Sequence, residues 1–128
     1  MHGANITVPF KNAIIPHIDE LSEDARKTQS VNTIYLQNKK VVGHNTDIEG
    51  FERAIKEINF DFSGKKIFIL GAGGVVPSII YASIKMKAAE IFVSNRTKGK
   101  ADDIKKNFSK IDLILAPAMG GVIIGYRN

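Results

Sequence analysis

A short apolar segment followed at once by a glycine-rich turn constrains the fold of this chain more than any other feature. Residues 66–70 are mostly apolar, which is typical of a strand buried in a parallel sheet. The turn at residues 71–74 has the sequence Gly-Ala-Gly-Gly, and a helical pattern then continues to about Met86. This order of strand, turn and helix is the context in which G-x-G-x-x-G binds a pyrophosphate at a helix N-terminus. The sequence therefore predicts an α/β fold of the Rossmann type.

The segments that follow extend the same pattern. We expect a strand at residues 90–94, a polar helix at 98–108 and a third strand at 112–116. This alternation predicts one nucleotide-binding half of a doubly wound, mostly parallel sheet within residues 61–128. Residues 119–126 have two interpretations, a further strand or an abnormal end of the chain.

Residues 1–60 form a separate predicted unit, an incomplete α/β remnant in which we expect a helix, a helix, a hairpin and a helix. The predicted hairpin has strands at residues 31–36 and 40–43 around a polar turn. Ser22 is predicted to cap the second helix. Thr46 and Glu49 fit a capping box, S/T-x-x-E, at the start of the third. Its predicted apolar face consists of Ile48, Phe51, Ala54, Ile55 and Ile58.

The glycine turn and the end of the next strand predict the cofactor. Gly71 permits a tight turn and Gly73 permits close approach of a pyrophosphate, although the third fingerprint position holds Val76. NAD enzymes usually place an acid about 20 residues further on, whereas this chain has Arg96, which favours the 2′-phosphate of NADP. The alternatives are a glycine turn without a ligand and an ordinary surface arginine. The predicted cofactor contacts are Gly71, Ala72, Gly73, Gly74, Val75, Asn95, Arg96 and Thr97.

Composition narrows the classes of function. The chain has no cysteine, its three histidines lack metal-ligand spacing, and no apolar run reaches the ~20 residues of a membrane span. We therefore expect no metal site and no membrane association, and a cytoplasmic protein, since no signal peptide is visible. The net charge of +5 is compatible with nucleic acid or with small anionic ligands. No nucleic-acid motif accompanies the charge, so we favour an anionic metabolite and expect no nucleic-acid partner.

Five short segments resemble the shikimate dehydrogenase family in their sequence, order and spacing. In chain order they are Gly3-Ala4-Asn5-Ile6-Thr7-Val8-Pro9-Phe10-Lys11, Val31-Asn32-Thr33, Asn45-Thr46-Asp47, Gly71-Ala72-Gly73-Gly74 and Asn95-Arg96-Thr97. The first matches the family motif N-V-T-x-P-x-K, with Ile6 in place of valine.

The resemblance implies roles that the residue types alone do not. By themselves, Lys11 is typical of a solvated surface and Asp47 of a helix first turn. The resemblance implies that Lys11 and Asp47 are catalytic and that Thr7, Asn32 and Asp47 contact substrate. It also implies NADPH-dependent reduction of 3-dehydroshikimate to shikimate, a step towards chorismate and the aromatic amino acids. A relative that accepts quinate is an alternative.

The resemblance extends from about Gly3 to about Ile111 and covers the middle of a family member. Family members also have an N-terminal region that binds the substrate carboxylate and a second half of the nucleotide sheet. We therefore expect a truncated or partial member, with exposed sheet edges that favour a homo-oligomer. A catalytically inactive NADP-binding fragment is the alternative function.

Overall fold

A computed structural model describes residues 2–71, 73–95, 98–108, 111–116 and 121–127. Two four-stranded sheets are flanked by helices, with a 3₁₀ helix at Ile15–His17. The strands are β1 (Gly3–Asn5), β2 (Glu20–Leu21), β3 (Thr33–Gln37), β4 (Lys40–His44), β5 (Lys66–Leu70), β6 (Glu90–Asn95), β7 (Ile111–Ala116) and β8 (Gly121–Arg127). The helices are α1 (Phe10–Ala13), α2 (Glu23–Thr28), α3 (Asp47–Glu57), α4 (Val76–Lys85) and α5 (Lys98–Asn107).

The first sheet has the strand order β1-β3-β4-β2. The hairpin of β3 and β4 confirms the predicted pair, and β1 lies antiparallel to β3 while β2 lies parallel to β4. The sequence analysis was wrong to omit β1 and β2. These strands have three and two residues, too few to show an alternating pattern, so only their pairing partners define them.

The start of α3 differs from the predicted capping box. Thr46 already has helical backbone angles, φ −92° and ψ −7°, and its side chain does not cap the helix. The side-chain oxygen of Asn45 instead accepts a hydrogen bond of 2.9 Å from the backbone N–H of Asp47. The predicted cap of α2 is confirmed, since Ser22 Oγ accepts from the N–H of Ala25.

The second sheet has the strand order β5-β6-β8-β7. β5 is parallel to β6, whereas β8 is antiparallel to both β6 and β7. The α/β class is confirmed, and the last segment is a strand, but this sheet is mixed rather than mostly parallel. β8 follows β7 too closely in the chain for the crossover that a parallel neighbour requires.

The core of the second unit lies between its sheet and helices α4 and α5. Its buried members are Val76, Ile80, Ala88, Ile91, Val93, Ile104 and Phe108. β5 is only half buried, because its side chains alternate between two faces of the sheet: Ile67 and Ile69 pack on the core, while Phe68 and Leu70, on the opposite face, are 55% and 78% exposed. The prediction of a fully buried strand was therefore wrong.

Helices α2 and α3 pack against α4 and join the two sheets into one structure. Ile48 of α3 is fully buried, as predicted, but Ile58 is 68% exposed because the helix ends at Glu57. No helix in the described part of the chain combines the length and the apolar character that crossing a bilayer takes.

Candidate functional site

Lys11 and Asp47 meet at the start of two helices. Lys11 is the second residue of α1, and Asp47 is the first residue of α3. Lys11 Nζ donates a hydrogen bond of 2.8 Å to Asp47 Oδ2. The side chains are 17% and 25% exposed, so the ion pair is partly desolvated yet still open to a ligand. The position of Asp47 at a helix N-terminus also favours its negative charge.

Asn32 fixes the other oxygen of the Asp47 carboxylate. Its side-chain nitrogen donates to Asp47 Oδ1 at 3.2 Å and to Thr46 Oγ1 at 2.8 Å. Its side-chain oxygen accepts from the backbone N–H of Thr46 at 3.0 Å and from Thr33 Oγ1 at 3.0 Å. Asn32 precedes β3, so the first sheet sets where the carboxylate points. The structure thus brings together three of the predicted site residues.

Thr7 lies apart from this cluster. It is exposed in the loop between β1 and α1, and its side chain has no hydrogen-bond partner among the described residues. Its backbone oxygen accepts from the N–H of Phe10 at 2.8 Å. Thr7 lines a separate open hollow of about 430 Å³ with Asn5 and His17. The structure does not join Thr7 to the Lys11–Asp47 pair by a direct contact.

The glycine turn leaves the start of α4 accessible. Gly71 has φ +105°, a conformation that favours glycine, and its N–H donates to the carbonyl of Ser94 at 2.7 Å. The N-cap residue Val75 makes no side-chain cap, so among the described residues the N-terminal partial charge of this ten-residue helix is not met by a capping side chain. Gly73, Gly74 and Val75 are exposed. These features are typical of a loop that binds phosphate through its backbone N–H groups.

The parallel pairing of β5 and β6 places two predicted contacts at one edge of the sheet. Leu70 pairs with Ser94, so Gly71 and Asn95 follow at the carboxyl ends of neighbouring strands. Ligands of α/β sheets bind at this edge. Ala72, Arg96 and Thr97, which the sequence predicts to bind the cofactor, lie outside the described residues.

One cleft joins the two predicted parts of the site. It has a volume of about 600 Å³, and Lys11 lines it together with Gly73 and Gly74. Lys100 and Lys106 of α5 add positive charge to its wall. Such a cleft, with cationic walls and an uncapped helix start, suits an anionic ligand of cofactor size.

Two buried polar groups near the cleft were missed by the sequence analysis. Ser30 lines the cleft and is 4% exposed, and its hydroxyl has no hydrogen-bond partner among the described residues. Asn45 is fully buried and bonds Thr28 and Ser78 as well as the start of α3. The motif Asn45-Thr46-Asp47 signalled that Asn45 matters, but its partners are distant in the chain.

A second ion pair braces α3 against α4. Lys85 Nζ lies 3.2 Å from Glu52 Oε1 and 5.7 Å from the centre of the Tyr81 ring. Burial lowers the pKa of Lys85, but Glu52, Asp24 and Tyr81 raise it by more, so the net pKa is raised. Burial, followed by the charges of Glu23 and Asp24, also raises the pKa of Tyr81.

No group of three or more metal-binding side chains occurs within the part of the chain that the structure describes. The side chains that this region offers are an ammonium, a carboxylate and an amide beside the exposed glycine turn that precedes α4.

The chain is similar in sequence and in fold to shikimate dehydrogenases. The chain is 54% identical to shikimate dehydrogenase (NADP(+)) from Pelagibacter ubique over 114 residues, which cover 89% of this chain and 43% of the relative. A crystal structure of shikimate dehydrogenase from Aquifex aeolicus superimposes with a TM-score of 0.77 at 40% identity, over 85% of this chain and 41% of that one. The Thermus thermophilus enzyme in complex with NADP(H) and shikimate gives a TM-score of 0.73 at 31% identity, over 85% and 41%.

The chain spans less than half the length of these relatives. Residues 1–34 match the family described as Shikimate dehydrogenase substrate binding domain. Residues 52–119, more than half of the chain, match the family described as Shikimate / quinate 5-dehydrogenase. The chain therefore belongs to the shikimate/quinate 5-dehydrogenase family.

Proposed function

We propose that this chain provides the Lys11–Asp47 pair and the phosphate loop, residues 71–75, of an NADP-dependent shikimate dehydrogenase. The reaction is the reversible reduction of 3-dehydroshikimate to shikimate. The observation that carries the proposal is the cleft of about 600 Å³ that Lys11 shares with Gly73 and Gly74. A proton donor and a cofactor loop must face one space for a ketone to be reduced there.

Lys11 is the proposed general acid. Negative charge develops on the ketone oxygen as its carbon accepts a hydride, and an ammonium group stabilises that charge and donates a proton. Asp47 Oδ2 accepts one hydrogen of Lys11 Nζ at 2.8 Å, which fixes the direction of the ammonium. NADPH, when bound, supplies the hydride.

Asp47, Asn32 and Thr7 are the proposed substrate contacts. Asn32 and Asp47 share a hydrogen bond of 3.2 Å and present neighbouring amide and carboxylate groups, which suit the hydroxyls of a polyol ring. Thr7 is exposed and would have to approach the substrate from the β1–α1 loop.

The proposed cofactor contacts are the glycine turn and the end of β6. Gly71 forms the turn, and the backbone N–H groups of Gly73, Gly74 and Val75 precede a helix whose N-cap residue offers no capping side chain, the environment that a pyrophosphate favours. Arg96, with Asn95 and Thr97, is proposed to select NADP, because a guanidinium binds a 2′-phosphate that a carboxylate would repel. In this proposal residues 1–60 are a partial substrate-binding domain and residues 61–128 a partial NADP-binding domain.

A catalytically inactive NADP-binding fragment is the second candidate. Quinate as substrate is a further variant, since the matching family description names both substrates.

We also propose that the chain is cytoplasmic and associates with a second copy of itself. β5 is an edge strand among the described residues, and Phe68 and Leu70 are exposed on it. Unpaired edges with apolar side chains favour pairing with a second copy of the chain.

The test is the initial rate of nicotinamide reduction by the purified chain. We expect turnover with shikimate and NADP⁺. Turnover should be slower when quinate replaces shikimate or when NAD⁺ replaces NADP⁺. NADP⁺ binding without turnover would support the inactive fragment. Equal binding of NAD⁺ and NADP⁺ would refute the role of Arg96.

A further inference from the structure

A buried hydrogen-bond network joins the start of α3, which carries Asp47, to the first turn of α4, which follows the glycine loop. Asn45 is its centre and is fully buried. The amide nitrogen of Asn45 donates to Ser78 Oγ at 2.9 Å and to Thr28 Oγ1 at 3.1 Å. Its oxygen accepts from the N–H of Asp47 at 2.9 Å. Three helices therefore meet on one side chain.

Chemistry fixes the orientation of the Asn45 amide. The backbone N–H of Asp47 can only donate, so the Asn45 oxygen must face it. Thr28 Oγ1 donates its hydrogen to the carbonyl of Asp24 at 2.7 Å, so it can only accept from Asn45. A flipped amide would therefore oppose two donors at Asp47 and two acceptors at Thr28. The observed arrangement is the one in which every bond is made.

The network lies on a short path between the two parts of the site. Asn45 precedes Asp47 by two positions, and Ser78 follows Gly74 by four. Ser78 is fully buried, as is Asn45. A movement of α4 relative to α3 would leave a buried amide hydrogen without an acceptor, which is costly. The hydrogen bond therefore resists a change in the spacing between the loop and Asp47.

We infer that Asn45 and Ser78 are positioning residues that hold the Lys11–Asp47 pair at a set distance from the phosphate loop. The consequence for turnover rests on the proposed function, whereas the effect on the pair itself does not. The Lys85–Glu52 ion pair, with side chains 44% and 21% exposed, also joins α3 to α4, but it lies on the last turn of α4 and not on the turn that follows the glycine loop.

Ser78→Ala tests the inference, and Ser83→Ala is its matched control. Ser83 is also a fully buried serine of α4, but its hydroxyl donates within the helix to the carbonyl of Ile79 at 2.7 Å. The readouts are the hydrogen exchange of the Asp47 amide and the NMR chemical shifts of the Asp47 amide, the Asp47 carboxylate and the Lys11 ammonium. All are measured on the unliganded chain.

We expect Ser78→Ala to shift the Asp47 amide signal, to speed its exchange about tenfold and to displace the side-chain signals of Asp47 and Lys11. Ser83→Ala should leave these signals at their wild-type values. Unchanged Asp47 and Lys11 signals in Ser78→Ala would overturn the inference. If Ser78→Ala does not fold, Ser78→Cys, which leaves no cavity because its sulfur is slightly larger than the oxygen and which weakens the acceptor, gives the same comparison.

Turnover separates this inference from the proposed function. If the hydride donor is displaced relative to the substrate, kcat falls steeply, by as much as about 100-fold for a displacement near 1 Å. Ser78→Ala should therefore reduce kcat more than it raises KM, and Ser83→Ala should change neither. If the wild-type chain has no turnover, the proposed function fails, but the NMR comparison still decides whether Ser78 positions the pair.

Discussion

The ammonium group of Lys11 lies 2.8 Å from the carboxylate of Asp47, although 36 positions separate the two residues in the chain. The first sheet brings the two residues together. The N–H of Val31 donates to the carbonyl of Lys11 at 2.8 Å and so ties α1 to the segment that precedes β3. Asn32, the next residue in that segment, holds Asp47 from the other side.

Asp47→Asn should lower kcat about 100-fold. The substitution keeps the size of the side chain but places an amide or a neutral oxygen against Lys11 Nζ, so the ammonium loses its orienting charge. Steady-state kinetics with shikimate and NADP⁺ measure the effect. Glu20→Gln is the control, because it breaks the exposed pair with Lys40, which also has a length of 2.8 Å. Equal effects of the two substitutions would contradict a special role for Asp47.

Gly73→Ala should weaken NADP⁺ binding at least about tenfold while the free energy of unfolding stays within about 0.5 kcal/mol of wild type. A Cβ atom at Gly73 would meet nothing within 4 Å, so the protein itself tolerates it. A pyrophosphate bound close to this backbone would clash with the added Cβ atom. Calorimetric titration and urea unfolding measure the two effects, and unchanged affinity would refute close approach at Gly73.

Gly50→Ala should stabilise the chain by about 0.5–1 kcal/mol. Gly50 lies inside α3, it is exposed, and an added Cβ atom would meet nothing within 4 Å. The gain comes from the lower conformational entropy of alanine in the unfolded chain. Urea unfolding gives the value, and a loss of stability would show that α3 is not a regular helix at this position.

Stability should fall as the pH rises above about 10. The folded state raises the pKa of both Lys85 and Tyr81, so it binds their protons more tightly than the unfolded state does. This contribution is complete below the unfolded pKa values and is lost as the pH rises through the folded ones. Urea midpoints between pH 8 and about 11.5 should decline less steeply in Lys85→Met and in Tyr81→Phe. Parallel curves for wild type and both variants would exclude these groups.

The sequence predicted most of the second unit because its signals are local. Residues 66–70 and the glycine turn identify a strand and a helix start without knowledge of any partner, and β5 has the predicted bounds. The exposure of Phe68 and Leu70 could not be predicted, because it depends on which face of the sheet the helices cover. The position of β8 between β6 and β7 likewise depends on pairing between distant segments.

In the site, too, local motifs identified residues, whereas contacts between distant segments could not be predicted. The motifs identified Lys11, Asn32 and Asp47, and the structure places these three together. The capping prediction failed because Thr46 Oγ1 accepts from Asn32, a partner that local sequence does not reveal. The contact of Asn45 with Ser78 joins residues 33 positions apart and was invisible for the same reason.

The central claim is that Lys11 donates the proton to a substrate held next to a bound cofactor. The most direct test is the rate of NADPH formation from shikimate and NADP⁺ by the purified chain and by Lys11→Ala, with Lys40→Ala as control. We expect Lys11→Ala to lower kcat at least about 100-fold with a smaller change in KM, and Lys40→Ala to retain wild-type kinetics. A Lys11→Ala variant that keeps its kcat and loses only in KM would contradict the claim.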